Sequence, residues 1–147
     1  MSGAFTPLGA EFALDYLSGS MSTTLVVGAS SRSVYIMLLT ATPTNLSEMS
    51  TYVEVSATGY ARQAVTWGAA TLNSAGVYQI SNTNSLLFGP FTAVGGLGPQ
   101  ATMCALVTVE TGVGGQPLML WTLDTPGSAP QNASLEIAAG TLTMSLA

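Results

Sequence analysis

The chain has 147 residues, of which 48% are hydrophobic but only 6% are charged, for a formal net charge of −5. Arg32 and Arg62 are the only basic side chains, with no Lys or His, so no basic patch exists to release counterions from phosphate or to attract anionic lipid; neither nucleic acid nor membrane is an expected partner. Ordinary globular chains carry about 25% charged residues, and so large a deficit points to a surface covered by other subunits, the alternative being a Ser/Thr-rich secreted domain.

The length fits one domain, residues 1–147, with a sizeable core. At its start Met1-Ser2-Gly3-Ala4-Phe5 lacks a charged segment followed by an apolar run, so no export signal is expected. Thr6 and Pro7 form a helix start, with Thr6 as N-cap and Pro7 at the first helical position, and Gly19 is a stop. The predicted helix spans residues 7–18. Leu8, Phe12, Leu14, Tyr16 and Leu17 surround it on nearly every side, and Glu11 and Asp15 leave one narrow polar stripe. Such a helix is buried on two sides, under its own sheet or against a neighbour. A small polar connection follows, with a short strand at Leu25, Val26 and Val27.

Residues 34–39 are a continuous apolar run of strand length, fitting a strand covered on both faces. Residues 52–55 and 60–67 then read as a β-hairpin around a three-residue loop, 57–59, with Gly59 in the left-handed position. That register sets Glu54 opposite Arg62. It assigns Val53, Val55, Ala61, Val65 and Trp67 to the core and turns Tyr52, Glu54, Tyr60 and Arg62 outward.

Further strands are expected at 77–80, 86–88, 102–110, 118–123 and around 135–137 and 141–146. Between them lie Gly-rich or Pro-rich loops at 91–100, 112–115 and 124–130. In 102–110, Met103, Ala105, Val107 and Val109 alternate with Cys104, Leu106 and Thr108; at the end Leu142, Met144 and Leu146 share one face. Cys104, the only cysteine, reads as a small buried hydrophobe. Many short strands between turns predict an all-β, two-sheet sandwich or jelly-roll-like domain with one N-terminal α-helix.

The catalytic inventory is thin. Without His or Lys, serine or cysteine triads cannot be assembled and histidine metal sites are ruled out by count. Glu110 and Asp124 flank one apolar strand and form the remaining carboxylate pair, which reads more simply as solvated strand ends. The glycine clusters 95–98 and 112–115 open no helix and precede no Lys, so they are turns rather than phosphate loops. No cofactor is expected.

Several segments, taken in order, carry a resemblance. They are residues 11–18, 34–44, Glu54-Val55, Gly59-Tyr60-Ala61-Arg62, Ala64-Val65-Thr66-Trp67, Ile80-Ser81-Asn82 and Phe88-Gly89-Pro90-Phe91. In these the chain resembles a family of small structural proteins of tailed bacteriophages, whose members are labelled either head decoration (cement) proteins or tail-fibre proteins. The resemblance implies an oligomeric virion component without catalysis. An acidic, lysine-free chain suits the outer capsid face, away from packaged DNA. The reading favoured at this point is a capsid decoration protein that stabilises the shell by binding the major capsid protein and its own copies, as a trimer. Leu8, Phe12, Tyr16, Tyr52, Glu54, Tyr60 and Arg62 are its candidate interface, since Tyr and Arg concentrate interface energy. The alternatives are a tail-fibre or receptor-binding module, with Phe91 or Trp121 offered to a glycan or a surface protein, although Trp121 is expected in the core before that, and a carboxylate hydrolase.

Overall fold

The computed structural model describes residues 3–5, 33–69 and 71–145. The predicted helix at 7–18, with Leu8, Phe12 and Tyr16, and the short strand at 25–27 lie outside the described residues.

Among the described residues the fold is all-β and antiparallel, and the longest alternating segments make its spine. β7 (Leu97–Val107) and β8 (Pro117–Ala129) form a long hairpin, with Cys104 opposite Trp121 and Ala105 opposite Leu120. β2 (Val34–Leu39) pairs with the other edge of β7, Leu38 opposite Cys104. β1 (Gly3–Phe5) and β3 (Gln63–Val65) complete a five-stranded sheet in the order β1-β8-β7-β2-β3. β4 (Thr71–Leu72), β5 (Tyr78–Ser81) and β10 (Thr143–Ser145) form a second sheet ordered β10-β5-β4, and β6 (Leu86–Phe88) pairs with β9 (Leu135–Ile137). Among the described residues the helical structure is a single 3-10 turn at Met49–Thr51.

Alternation along β2 and β7 feeds cores on both faces of the main sheet. Ile36, Leu38, Cys104 and Leu106 join Phe88, Phe91, Trp121 and Leu142 in the larger cluster. Met37, Leu39, Met103, Ala105 and Val107 face the other way, where Met49 and Tyr52 pack on them. A strand apolar at every position requires such two-sided cover. Asn82, 1% exposed, is satisfied inside the larger core: its amide nitrogen donates to the carbonyls of Asn84 and Ala138, and its oxygen accepts from the Leu142 amide. The side chain of Asn84 accepts from Thr66 N–H and donates to the Ala64 carbonyl, which gives the edge beyond β3 side-chain partners where an open edge would invite another strand.

Three expectations are corrected. First, residues 52–55 and 60–67 do not form a hairpin with each other. Both run along the same edge of β2: Val65 lies opposite Val34, while farther on Glu54 bridges Leu39 and Val55 N–H donates to the Leu38 carbonyl. A long buried strand offers both segments a better partner than either offers the other, and residues 56–62 arch out between them. Second, the faces sort differently. Val55 and Val65 are buried as expected, but Val53 is 57% exposed and Ala61 is exposed, while Arg62 and Tyr52 are buried, the Tyr52 hydroxyl donating to the Leu46 carbonyl. Third, the predicted loops at 97–100 and 124–129 are strand. Register shifts between Leu97 and Ala101 and between Ala101 and Met103 let Pro99 and Pro126 sit in β7 and β8.

Burial pushes the Cys104 thiol up from 9.0 to about 12. A native chain at pH 8 should therefore resist a thiol reagent and react only after unfolding. The thiol ionises earlier when unfolded than when folded, so stability falls as pH rises from 9.0 toward about 12. Its share of that slope approaches about 1.4 kcal/mol per pH unit, and denaturant titrations of Cys104→Ala should show a flatter alkaline arm.

Candidate functional site

The arch at 56–62 is held by one ionic latch. Arg62 Nε donates to Glu54 Oε1 at 2.8 Å and Nη2 donates to Oε2 at 2.7 Å, the bidentate geometry that strengthens guanidinium–carboxylate pairs. The same guanidinium reaches across to the β7–β8 connection, Nη1 donating to the Val109 carbonyl at 3.0 Å and Nη2 to the Gly112 carbonyl at 2.9 Å. The Arg62 side chain is 3% exposed and that of Glu54 27%. The hydrogen bonds to Glu54 raise the guanidinium further above its ordinary value. Glu54 and Arg62 thus pair as expected, but across the neck of an arch instead of across a hairpin.

Tyr60 completes the latch. Its hydroxyl donates to Glu54 Oε1 at 2.9 Å and accepts from Leu38 N–H at 2.9 Å. The accepted bond satisfies a β2 amide on the stretch where the arch has left the strand edge. Burial pushes the phenol well above its ordinary value, so the hydroxyl remains a donor to the carboxylate. The ring stacks on Phe88, centroids 6.1 Å apart. Tyr60→Phe keeps the stack and removes both hydrogen bonds; it should cost about 1–3 kcal/mol in equilibrium unfolding, because a buried amide loses its partner.

The tip of the arch rests on the chain after β6. Gly59 has φ +96, and a Cβ there would run into the Pro90 carbonyl. Thr92 N–H donates to the Thr58 carbonyl at 3.2 Å. The segments Gly59-Tyr60-Ala61-Arg62 and Phe88-Gly89-Pro90-Phe91 are therefore one structural unit, brought together by the stack, the close approach at Gly59 and this hydrogen bond.

Between the arch and the β7–β8 connection lies an open groove of about 720 Å³, with Glu54, Tyr60 and Arg62 on one side and Glu110, Thr111 and Gly112 on the other. The structure thus gathers Glu54, Tyr60 and Arg62 into one place, while Tyr52 sits apart in the smaller core. Thr111 and the two accepting carbonyls of the connection were missed, and a backbone carbonyl some fifty residues away carries no signature that could have found it. Phe91 and Trp121 are each 0% exposed: Trp121 takes the core position expected for it, and Phe91 is corrected as a surface for a glycan. Glu110 lines the groove whereas Asp124 is exposed on β8 and does not, so they are not paired there. Among the described residues, no group of three His, Cys, Asp or Glu could hold a metal ion.

Comparison with curated proteins and with solved structures found no match. A family model described as "Podophage GP4 fiber I protein gp80" matches residues 14–145, a span that includes the arch, its latch, the Pro90 seat and both strands of the central hairpin. The chain belongs to that family of phage fibre structural proteins.

Proposed function

We propose that the protein is a non-enzymatic fibre subunit of a tailed-phage virion. The observation that carries this reading is the family match over residues 14–145. It favours the tail over the outer capsid face, so that a fibre partner replaces the major capsid protein as the expected neighbour. The domain is read as a β-sandwich of the jelly-roll-like class, with the five-stranded sheet as one layer. It assembles with its own copies in a closed cyclic arrangement, of which the trimer is the form favoured here.

Assembly is supported by the scarcity of charge and by the exposed apolar side chains Val53, Leu72, Leu87, Val94 and Val113, surface that neighbouring subunits would cover. The remaining interface candidates, Leu8, Phe12 and Tyr16, belong to the same proposal. Gold-conjugated antibody against the protein should label tails of intact virions, and mass spectrometry of separated heads and tails should find it with the tails. Label confined to the head would restore the capsid decoration reading instead.

A further inference from the structure

β1 fills a slot whose walls are built by later parts of the chain. Gly3 lies opposite Trp121, Ala4 opposite Leu120 and Phe5 opposite Met119 on β8, and β10 lies beside β1. β8 is held along its other edge by β7, and Met119 and Trp121 are 1% and 0% exposed in the larger core. Trp121 Nε1 donates to the Thr143 carbonyl of β10 at 3.0 Å, which ties the two walls together. All of these wall residues fall within the family match at 14–145, whereas β1 precedes it. An empty slot would present the open backbone edge of an apolar strand, the feature that recruits a strand from another chain.

The tether between β1 and β2 is far longer than the fold needs. Phe5 lies opposite Met119, Met119 opposite Leu106 and Leu106 opposite Ile36, so β1 and β2 stand three strand spacings apart in one row, roughly 14 Å. Residues 6–33 join them. With residues 7–18 counted as the helix their sequence predicts, a segment of that length can span about 70 Å. A domain of this size is about 40 Å across, so the slot of an adjacent copy is within reach. The pairing is the same in either slot, and a strand of three residues leaves its place easily, so exchange costs little. In a closed ring each copy gives one strand and receives one, and no slot stays empty. We propose that β1 is exchanged between copies in the assembled protein, the Gly3–Phe5 strand of one filling the slot between β8 and β10 of the next. The exchange rests on the self-assembly read above and names the segment that carries it.

The full chain, in a Cys104→Ala background, provides the test. Ala4→Cys in one tagged copy and Leu120→Cys in a differently tagged copy put thiols on directly opposed residues of the β1–β8 pair, where Cα atoms about 4.5–5.5 Å apart suit a disulfide. Co-expressed and oxidised, the two should give a mixed covalent dimer. Its yield should exceed that of Val94→Cys with Leu120→Cys at least about tenfold, because a seated strand presents its thiol at millimolar effective concentration. Val94, 94% exposed, controls for chance encounters. Where Leu120→Cys lowers the melting temperature, Thr122→Cys, exposed on the same face of β8, takes its place with a short bismaleimide as the link. The doubly substituted chain should give covalently closed rings. Mixed dimer no more abundant than the control, or a doubly substituted chain that closes only on itself, would overturn the exchange; an oligomer still seen by light scattering would then leave the fibre reading standing. A monomer by light scattering would overturn the exchange and the self-assembly together.

Discussion

Gly59→Ala should destabilise the protein by about 3 kcal/mol or more, since two costs act at one atom. The backbone at Gly59 has φ +96, a conformation that costs a non-glycine residue roughly 1–2 kcal/mol. The added methyl would also collide with the Pro90 carbonyl, a backbone atom that cannot rotate away as a side chain could. Pro90 is itself held by the residue that follows it, Phe91 being fully buried and its N–H donating to the Ala133 carbonyl at 3.0 Å. Relief must therefore come from lifting the arch, which separates Tyr60 from Phe88 and exposes the latch. For a chain of this length the melting temperature should fall by about 10 °C. Gly76 is the control: its φ is also positive, at +75, but a Cβ there meets nothing within 4 Å. Gly76→Ala should show only the conformational cost. Equal losses at the two positions in thermal melts would mean that the contact with Pro90 contributes nothing.

The contrast between these glycines marks where sequence reasoning reached and where it stopped. Gly59 was legible as left-handed because glycine between two alternating runs signals a turn. Its closure against Pro90 was not, because nothing local links residues more than thirty apart. The strands Val34–Leu39 and Leu86–Phe88 were legible to the residue, since uninterrupted apolar runs bounded by turn residues leave little freedom of register. The two faces of β7 were legible from alternation at 103–107. The ends of β7 and β8 were not: Pro and Gly at 99, 126 and 127 read as loop, but irregular pairing between the two long strands accommodates them. At Gly127 the missing side chain has a use, since a Cβ would press on Leu135 at 2.7 Å and Ala101 at 3.2 Å.

The supposed hairpin is the instructive failure. Oppositely charged residues at 54 and 62 correctly announced each other, because a bidentate pair is favourable in either arrangement. The backbone between them was misread because pairing strength depends on the third strand. β2 is buried on both faces and takes both segments. Val53 faces solvent and Tyr52 the smaller core because residues 52–55 follow the register of β2, not that of residues 60–67. Half of the candidate site then came from backbone groups of the β7–β8 connection, where residue identity carries little information.

The latch predicts an unequal response to losing either partner. Arg62 is the more deeply buried, its side chain 3% exposed against 27% for Glu54. Glu54→Ala therefore strands a guanidinium that water can barely reach, with only the Val109 and Gly112 carbonyls left to it. Breaking a buried pair in this way costs about 3–5 kcal/mol. Arg62→Ala leaves a carboxylate that water partly solvates and that Tyr60 still serves at 2.9 Å; its cost should be smaller, about 2–3 kcal/mol, much of it lost packing of the arginine stem. Removing both partners removes the stranded charge, so the double variant should be more stable than Glu54→Ala alone, and the cycle should give a coupling of at least about 1 kcal/mol. Because the contact is largely shielded from solvent, that coupling should change little between low and high salt. Hydrogen exchange should locate the damage: in Arg62→Ala, amides of the 109–116 connection and of the arch should open first, with the β7–β8 ladder still protected. An Arg62→Ala loss that equals or exceeds that of Glu54→Ala would mean that stranding the buried cation is not the dominant cost. A coupling that vanishes in salt would identify the pair as a surface contact and leave the arch held by Gly59, Tyr60 and the Pro90 seat alone.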